Sequence, residues 1–123
     1  MPTILIVDDD DAIRGILFDV LSEKYDCNTA STAEQALQYL EIENYDAVLT
    51  DIAMPGLTGI ELLKRVQLKD LDTPVILISG KGNEQDQESL IRLGAFAYIT
   101  KPFSLDEIEQ TVERAIEARR KST

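Results

Sequence analysis

The sequence predicts an α/β fold of the doubly wound (βα)5 type, a three-layer sandwich with a parallel sheet in strand order 2-1-3-4-5. Short apolar runs typical of strands begin near residues 4, 47, 75 and 97, and a weaker candidate strand begins near residue 27. Stretches with helical periodicity follow them, so each βα unit has the length that a right-handed crossover between parallel strands requires. The 123 residues hold five such units, and residues 1–123 are therefore expected to form one domain without an output domain.

The strands are predicted from apolar composition. Ile4 to Val7, Ala47 to Leu49 and Val75 to Ile78 are almost purely apolar, as expected for strands that are covered on both faces. The segment Cys27 to Ala30 is more polar, which favours an edge position for the second strand over a sequential sheet. The fifth strand is expected from Ala97 to Ile99.

The helices are predicted from apolar periodicity and from their start signals. Asp10 or Asp11 is expected to cap the first helix, because a short carboxylate can accept hydrogen bonds from the first free amides. The apolar faces of the first and last helices comprise Ile13, Ile16, Leu17, Val20 and Leu21, and Leu105, Ile108, Val112 and Ile116. Capping boxes, in which a hydroxyl and a Glu satisfy each other's amides, are expected at Ser31 with Glu34, Thr58 with Glu61, and Ser104 with Glu107.

Charge and composition exclude several classes of function. The chain has 12 Lys and Arg against 23 Asp and Glu, a net charge of −11, so direct binding to nucleic acid or to an anionic membrane is not expected. It contains no His and one Cys, which excludes disulfide frameworks, Cys/His zinc sites and Ser-His-Asp triads within the chain. The first apolar run is too short for a signal sequence or a membrane span, so a cytoplasmic protein is expected.

Polar residues follow the predicted strands at the edge of the sheet where ligands bind in this topology. Asp8 and Asp9 follow the first strand, Asp51 the third, Ser79 the fourth and Lys101 the fifth. Each alone has an ordinary explanation as a turn, strand-end or surface residue, and their joint placement indicates a site. Close carboxylates repel by about 4 kcal/mol per pair at an effective dielectric constant of 20, a cost that a dication reverses. Mg²⁺ is the natural candidate because it prefers oxygen ligands.

Four segments in order resemble the receiver domain of bacterial two-component response regulators. They are ILIVDDD at 4–10, DIAMPGLTG at 51–59, PVILISG at 74–80 and YITKPF at 98–103. The second fits the family pattern D-x-x-M-P-x-x-x-G and is the most specific. The resemblance covers essentially the whole chain and implies a flavodoxin-like fold and a phosphorylatable signalling switch.

The resemblance also implies a role for individual residues. Asp51 corresponds to the phosphoacceptor, which takes a phosphoryl group from a partner's phosphohistidine or from a small acyl phosphate. Asp9 and Asp51 would bind Mg²⁺ directly, Asp8 mainly through water, and the backbone carbonyl of Ala53 would supply a further ligand. Lys101 would pair with Asp51 and then with the phosphoryl oxygens.

The switch residues are implied in the same way. Ser79 has the position whose hydroxyl moves to bind the phosphoryl group, Tyr98 is the aromatic switch residue, and the family has a cis peptide at Lys101-Pro102. The surface of the fourth helix, fifth strand and fifth helix would then change and control an output protein or domain. Because the chain has no His, the donor must be a sensor histidine kinase or a histidine phosphotransfer protein. Beyond its own phosphorylation and slow dephosphorylation, no enzymatic activity is expected.

The sequence departs from the family pattern at three places. Ala53 cannot orient an attacking water and Lys81 can cover the phosphoryl group, so a long-lived phosphorylated state is expected. The segment Gly94 to Tyr98 has no acidic residue, which argues against the salt-bridged dimer of the transcription-factor subgroup and leaves a phosphorylation-dependent homodimer open. Phe96 marks either a different contact or a core position.

Two alternatives have separate support. ILIVDDDDA partly resembles the first motif of haloacid-dehalogenase-type phosphatases, with Asp8 as nucleophile and Asp10 as acid–base. Against it, Ala12 stands where that motif has Thr or Val, and DIAMPGLTG is left unexplained. The other alternative is a flavodoxin-like or pseudo-receiver module that binds a partner without being phosphorylated.

Overall fold

The computed structural model describes residues 1–69, 72–80 and 84–122, and within these ranges five strands alternate with five helices. The strand bounds lie within two residues of those predicted. The strands are β1 Thr3–Val7, β2 Asp26–Ala30, β3 Ala47–Asp51, β4 Val75–Ser79 and β5 Ala97–Thr100. The helices are α1 Asp11–Leu21, α2 Ala33–Ile42, α3 Gly59–Lys69, α4 Glu84–Arg92 and α5 Leu105–Ser122.

The strands form one parallel sheet in the order β2-β1-β3-β4-β5, so the predicted order is confirmed. The polar strand β2 lies at an edge. Val7 pairs with Thr50 across β1 and β3, so Asp8 and Asp51 follow at the same level of the sheet. This register brings the acidic residues of two neighbouring strands together.

Two apolar cores cover the two faces of the sheet. Leu5, Val48 and Leu77 belong to the core on the side of α2, α3 and α4. Alternate strand residues such as Ile6 and Leu49 belong to the core on the side of α1 and α5. Fully burying one such aliphatic side chain contributes roughly 1.5–3 kcal/mol, and these two cores hold the sheet that positions the polar edge.

The helix starts agree with the predictions except at α2. Asp10 is the N-cap of α1 and accepts hydrogen bonds from the amides of Ala12 and Ile13. In the second predicted capping box, Thr58 and Glu61 accept hydrogen bonds from each other's amides. In the third, Ser104 accepts a hydrogen bond from the amide of Glu107.

The capping box predicted at Ser31 and Glu34 is wrong by one residue. The N-cap of α2 is Thr32, whose hydroxyl accepts from the amide of Gln35, and the Gln35 side chain accepts from the amide of Ser31. The local sequence fits both registers, because a hydroxyl residue occupies positions 31 and 32 and Glu or Gln occupies positions 34 and 35. The observed register buries Ala33 and other apolar residues of α2 against the sheet, so tertiary packing decides between them.

The apolar faces of α1 and α5 agree with the predicted periodicity at most positions. Leu17 and Leu21 are buried in α1, whereas Ile16 is 49% exposed. Leu105, at the start of α5, is 40% exposed. In the described part of the chain, no helix combines the length and the apolar character that crossing a membrane requires.

Candidate functional site

Three acidic side chains meet at the carboxyl edge of the sheet, as the sequence predicts. Asp8 follows β1, Asp9 lies next to it in the loop, and Asp51 is the last residue of β3. One carboxylate oxygen from each lies within 4.8 Å of the other two, and no other such group occurs within the described ranges. Asp8 is fully buried, Asp51 is 5% exposed, and Asp9 faces the solvent. The cluster therefore has a buried floor and an open side.

Lys101 supplies the positive charge of this cluster. Its Nζ lies 3.4 Å from Oδ2 of Asp8 and 3.4 Å from Oδ1 of Asp51. Lys101 follows β5, and its backbone N–H donates to the carbonyl of Ser79 at 2.9 Å. The Lys101-Pro102 peptide is cis, as the resemblance implied. One ammonium group thus bridges the two buried carboxylates.

Burial raises the pKa values of the two buried acids, and the charge of a neighbouring carboxylate adds to the rise. The pKa of Asp8 is raised mainly by desolvation, which the hydrogen bond from the Asp10 amide and the charge of Lys101 partly offset. The pKa of Asp51 is raised by desolvation and then by the charge of Asp8, again against the lowering effect of Lys101. One lysine does not balance three neighbouring carboxylates, so the cluster carries an excess of negative charge.

The oxygen donors of this cluster fit a hard divalent cation. Asp8, Asp9 and Asp51 offer only carboxylate oxygens, which are the ligands that Mg²⁺ prefers in proteins. Positive charge placed among them offsets the repulsion that adds to the effect of burial on the pKa values of Asp8 and Asp51. The donor set and its electrostatics both suit a magnesium site.

The loop after β3 begins and ends close to Asp51. The Ile52 N–H donates to the carbonyl of Ile78, and the Gly59 N–H donates to the carbonyl of Ile52, each at 2.9 Å. A Cβ at position 59 would lie 2.2 Å from the carbonyl oxygen of Asp51, so only glycine allows α3 to start this close. Ala53 lies exposed inside this loop.

Ser79 and Tyr98 line a cleft that also includes Ile52, the residue directly after Asp51. Ser79 is buried at the end of β4, and Tyr98 is half-buried on β5. Together with residues that include Ile52, Ile60 and Leu90, they line a cleft of about 200 Å³. The two residues expected to switch thus share one cavity.

Two further positions singled out from the sequence have different outcomes. Phe96 is half-buried and packs against the core on the side of α1 and α5, so the core interpretation of this residue is the correct one. Lys81 lies outside the described residues.

Three further residues support the site and were not predicted from the sequence. Arg14 pairs with Asp11, and its Nη1 donates to the backbone carbonyl of Asp8 at 2.8 Å. The buried Thr50 hydroxyl donates to the carbonyl of Asp51 at 3.0 Å, and Glu34 reaches the loop after β3. Contacts to backbone atoms leave no motif in the sequence, although the buried polar Thr50 within an apolar strand is a weak signal.

The fold and the acidic site define the class of protein. Residues 4–113 match the response regulator receiver domain family. The chain belongs to this family, and receiver domains are phosphorylatable signalling domains of two-component systems rather than true enzymes. The family implied by the four sequence segments is confirmed.

Individual relatives support the same assignment. The chain is 37% identical over 111 residues to the alkaline phosphatase synthesis transcriptional regulatory protein PhoP of Bacillus subtilis, covering 89% of this chain and 46% of that protein. It is similar to a CheY-like receiver domain from Methanospirillum hungatei, with a TM-score of 0.93, 29% identity and coverage of 100% and 99%. It is also similar to the response regulator TrrA of Thermotoga maritima, solved in complex with Mg²⁺ and BeF, with a TM-score of 0.83, 34% identity and coverage of 94% and 99%.

The chain spans a part of the longer curated relatives. It covers 46% of PhoP and 25% of the regulatory protein AtoC of Escherichia coli, to which it is 36% identical over 115 residues.

Proposed function

We propose that Asp51 accepts a phosphoryl group from the phosphohistidine of a partner kinase or phosphotransfer protein. Mg²⁺ would be held by Asp8, Asp9, Asp51 and the backbone carbonyl of Ala53. The observation that carries this proposal is the Asp51 carboxylate, which lies beside two further acids and 3.4 Å from the ammonium group of Lys101. The Mg²⁺ and BeF bound in the related TrrA support the choice of metal.

When bound, Mg²⁺ would supply positive charge against the carboxylates and against the oxygens of the incoming phosphoryl group. The chain contributes the positions of the ligands. The Asp10 N–H donates to Oδ1 of Asp8 at 2.9 Å, and Arg14 holds the backbone carbonyl of Asp8. These contacts fix the loop that bears the first two acids, so that little reorganisation is needed at the moment of transfer.

The transfer itself forms one bond and breaks one bond. A carboxylate oxygen of Asp51 attacks phosphorus in line with the leaving nitrogen, so a P–O bond forms as the P–N bond breaks. The imidazole leaves with the electron pair of that bond and takes a proton from the solvent. Lys101 lies close enough to offset the negative charge that spreads over the phosphoryl oxygens. The product is an acyl phosphate, which water can later hydrolyse.

The phosphorylated site would change the surface formed by α4, β5 and α5. The added charge of about −2 attracts the Ser79 hydroxyl, and the shared cleft of about 200 Å³ offers space for the Tyr98 ring. Movement of Tyr98, which lies on β5, would alter this surface directly.

An output partner or output domain would bind that surface and respond to its change. Two exposed apolar residues are suited to an apolar contact: Ile91 near the end of α4 and Leu93 directly after it. The net charge of −11 disfavours direct binding to nucleic acid, and a cytoplasmic location fits a partner kinase of this type. Whether this surface also forms a phosphorylation-dependent homodimer is tested by size-exclusion chromatography with and without a phosphoryl mimic.

The decisive experiment is incubation with a small acyl phosphate and Mg²⁺, followed by intact-mass analysis. The wild type should gain one phosphoryl group, Asp51→Asn should gain none, and chelation of Mg²⁺ should abolish the gain. Asp19→Asn, an exposed aspartate in α1, is the matched control and should behave as the wild type. A wild type that gains no mass contradicts the proposal and favours a binding-only module.

The phosphatase alternative makes a different prediction. It requires turnover of small phosphomonoesters that is lost in Asp8→Asn and retained in Asp51→Asn. The position of Asp10 argues against it, because the carboxylate that would serve as acid–base caps α1 through the amides of Ala12 and Ile13. Family membership also favours the receiver interpretation.

A further inference from the structure

Glu34 makes a contact that the capping pattern did not predict. It lies exposed in the first turn of α2, where Gln35 reaches back to the amide of Ser31 and fills the place of the capping-box side chain. The Glu34 carboxylate is therefore not needed as a hydrogen-bond acceptor at the start of α2. It contacts a loop that lies 23 residues further along the chain.

The contact is made with the tip of the loop between β3 and α3. Oε1 of Glu34 accepts a hydrogen bond from the backbone N–H of Leu57 at 3.3 Å. The other oxygen, Oε2, lies over Gly56, where an added Cβ would approach it to 2.7 Å. Gly56 has a φ of +80°, so the loop turns at this point in a conformation that favours glycine. The carboxylate thus fits against a sharply turned segment of backbone.

This loop connects the phosphoacceptor to α3, and hydrogen bonds hold it at its base and at its tip. At its base, the Gly59 N–H donates to the carbonyl of Ile52, directly after Asp51. At its tip, the Glu34 carboxylate holds the amide of Leu57. Ala53 lies exposed between these two points. A restraint at the tip therefore limits the conformations open to the segment that contains Ala53.

We propose that Glu34 is a positioning residue for the phosphoacceptor site, which it serves by holding the loop that carries Ala53 in one conformation. The inference rests on the proposed function, because that function assigns the Ala53 carbonyl to the metal. Mg²⁺ demands near-ideal octahedral geometry, so a loop that is already ordered favours binding. Residues that orient metal ligands without touching the metal commonly affect its affinity.

The first test measures the restraint itself in the protein without metal. Amide hydrogen exchange, resolved by NMR, should be several-fold faster at Leu57 in Glu34→Ala than in the wild type, and nearly unchanged at Gly59. Glu34→Gln, which keeps an acceptor oxygen, should restore slow exchange at Leu57. Glu41→Ala removes an exposed charge from the same helix and should leave both amides unchanged. Equal exchange at Leu57 in Glu34→Ala and the wild type overturns the proposal.

The second test measures Mg²⁺ affinity by calorimetry and phosphorylation by a small acyl phosphate. Glu34→Ala should bind Mg²⁺ about three- to tenfold more weakly, the effect of losing one ordinary, solvent-exposed hydrogen bond, and should reach wild-type phosphorylation when Mg²⁺ is saturating. Glu34→Gln should lie within about twofold of the wild type. An equal loss in Glu34→Gln or in Glu41→Ala would assign the effect to charge and overturn the positioning role.

The two proposals fail in distinguishable ways. If the wild type binds Mg²⁺ and is phosphorylated on Asp51 while Glu34→Ala matches it in affinity, only the role of Glu34 is wrong. If the wild type itself neither binds Mg²⁺ nor gains a phosphoryl group, the proposed function is wrong and the role of Glu34 with it.

Discussion

The ammonium nitrogen of Lys101 lies 3.4 Å from Oδ1 of Asp51, and the same nitrogen lies 3.4 Å from Oδ2 of the fully buried Asp8. Replacing Lys101 by Met leaves both carboxylates without their cation in a place that water reaches poorly. The free energy of unfolding without metal should therefore fall by about 1–3 kcal/mol, less than the roughly 3–5 kcal/mol lost from a fully buried ion pair, because Lys101 is partly exposed. Urea unfolding in the presence of a chelator measures this loss.

The same substitution should cost less stability when Mg²⁺ is present, because a bound dication would offset the charge that Lys101 no longer balances. Lys64→Met, which removes an exposed lysine of α3, is the control and should change stability by less than about 0.5 kcal/mol in either condition. If the loss for Lys101→Met is the same with and without Mg²⁺, the metal does not share this charge cluster.

The raised pKa of Asp51 predicts a specific dependence of stability on pH. Because burial and the charge of Asp8 raise this pKa, the folded protein binds the proton more tightly than the unfolded chain does. The stabilising contribution of the protonated carboxyl is fully present below its ordinary pKa of 3.8 and is lost as pH rises through the raised value of the folded state. The ionised Asp51 therefore destabilises the metal-free fold near neutral pH.

Asp51→Asn should consequently stabilise the protein without metal, by on the order of 1 kcal/mol at pH 7, because the asparagine has no charge to bury. The advantage should shrink as pH falls and disappear below the ordinary pKa of the aspartate, where both side chains are neutral. Urea unfolding at several pH values in a chelating buffer measures the difference, with Asp19→Asn as control. An advantage that grows toward low pH contradicts this explanation.

The sequence predicted the order of the sheet and the composition of the acidic cluster for the same physical reason. Apolar strands with a polar residue at the carboxyl end are a local signal, and the parallel topology then brings those ends together. Asp8, Asp51 and Lys101 lie close together because the pairing of β1, β3, β4 and β5 places all three residues at the same end of the sheet.

What the sequence did not predict depends on contacts between distant segments. Two registers of the α2 capping box fit the local sequence. Burial of Ala33 favours the register that begins at Thr32, in which Glu34 takes no part in capping. The contact of Glu34 with Leu57 and that of Arg14 with the Asp8 carbonyl both use backbone atoms, which every residue carries. No residue type identifies a backbone partner, so these contacts are found only from the structure.

Two helical glycines provide a matched test of how tightly α3 approaches the phosphoacceptor. A Cβ at Gly59 would lie 2.2 Å from the Asp51 carbonyl oxygen and 2.9 Å from the Cα of Ile52, and both are backbone atoms that cannot move aside. Gly59→Ala should therefore destabilise the fold by about 1–3 kcal/mol. Gly15 lies in α1 with nothing within 4 Å of an added Cβ, so Gly15→Ala should stabilise the fold by about 0.5–1 kcal/mol through helix propensity. Thermal or urea unfolding of both variants checks the pair, and a Gly59→Ala variant as stable as wild type contradicts the close approach.

The alanine at position 53 predicts that the phosphorylated state is long-lived. Its methyl group lies exposed two residues after Asp51 and has no atom that can orient a water molecule for attack on the acyl phosphate. Ala53→Asn introduces an amide that can hold such a water, and we expect it to shorten the phosphoryl half-life by about tenfold, a typical effect of positioning a reactant. Ala118→Asn makes the same exchange at an exposed position near the end of α5, and should leave the half-life unchanged. Intact-mass measurements over time, after removal of the acyl phosphate, follow the loss of the label. Loss of the label within seconds in the wild type, or equal half-lives in Ala53→Asn and the wild type, would show that this position does not limit hydrolysis.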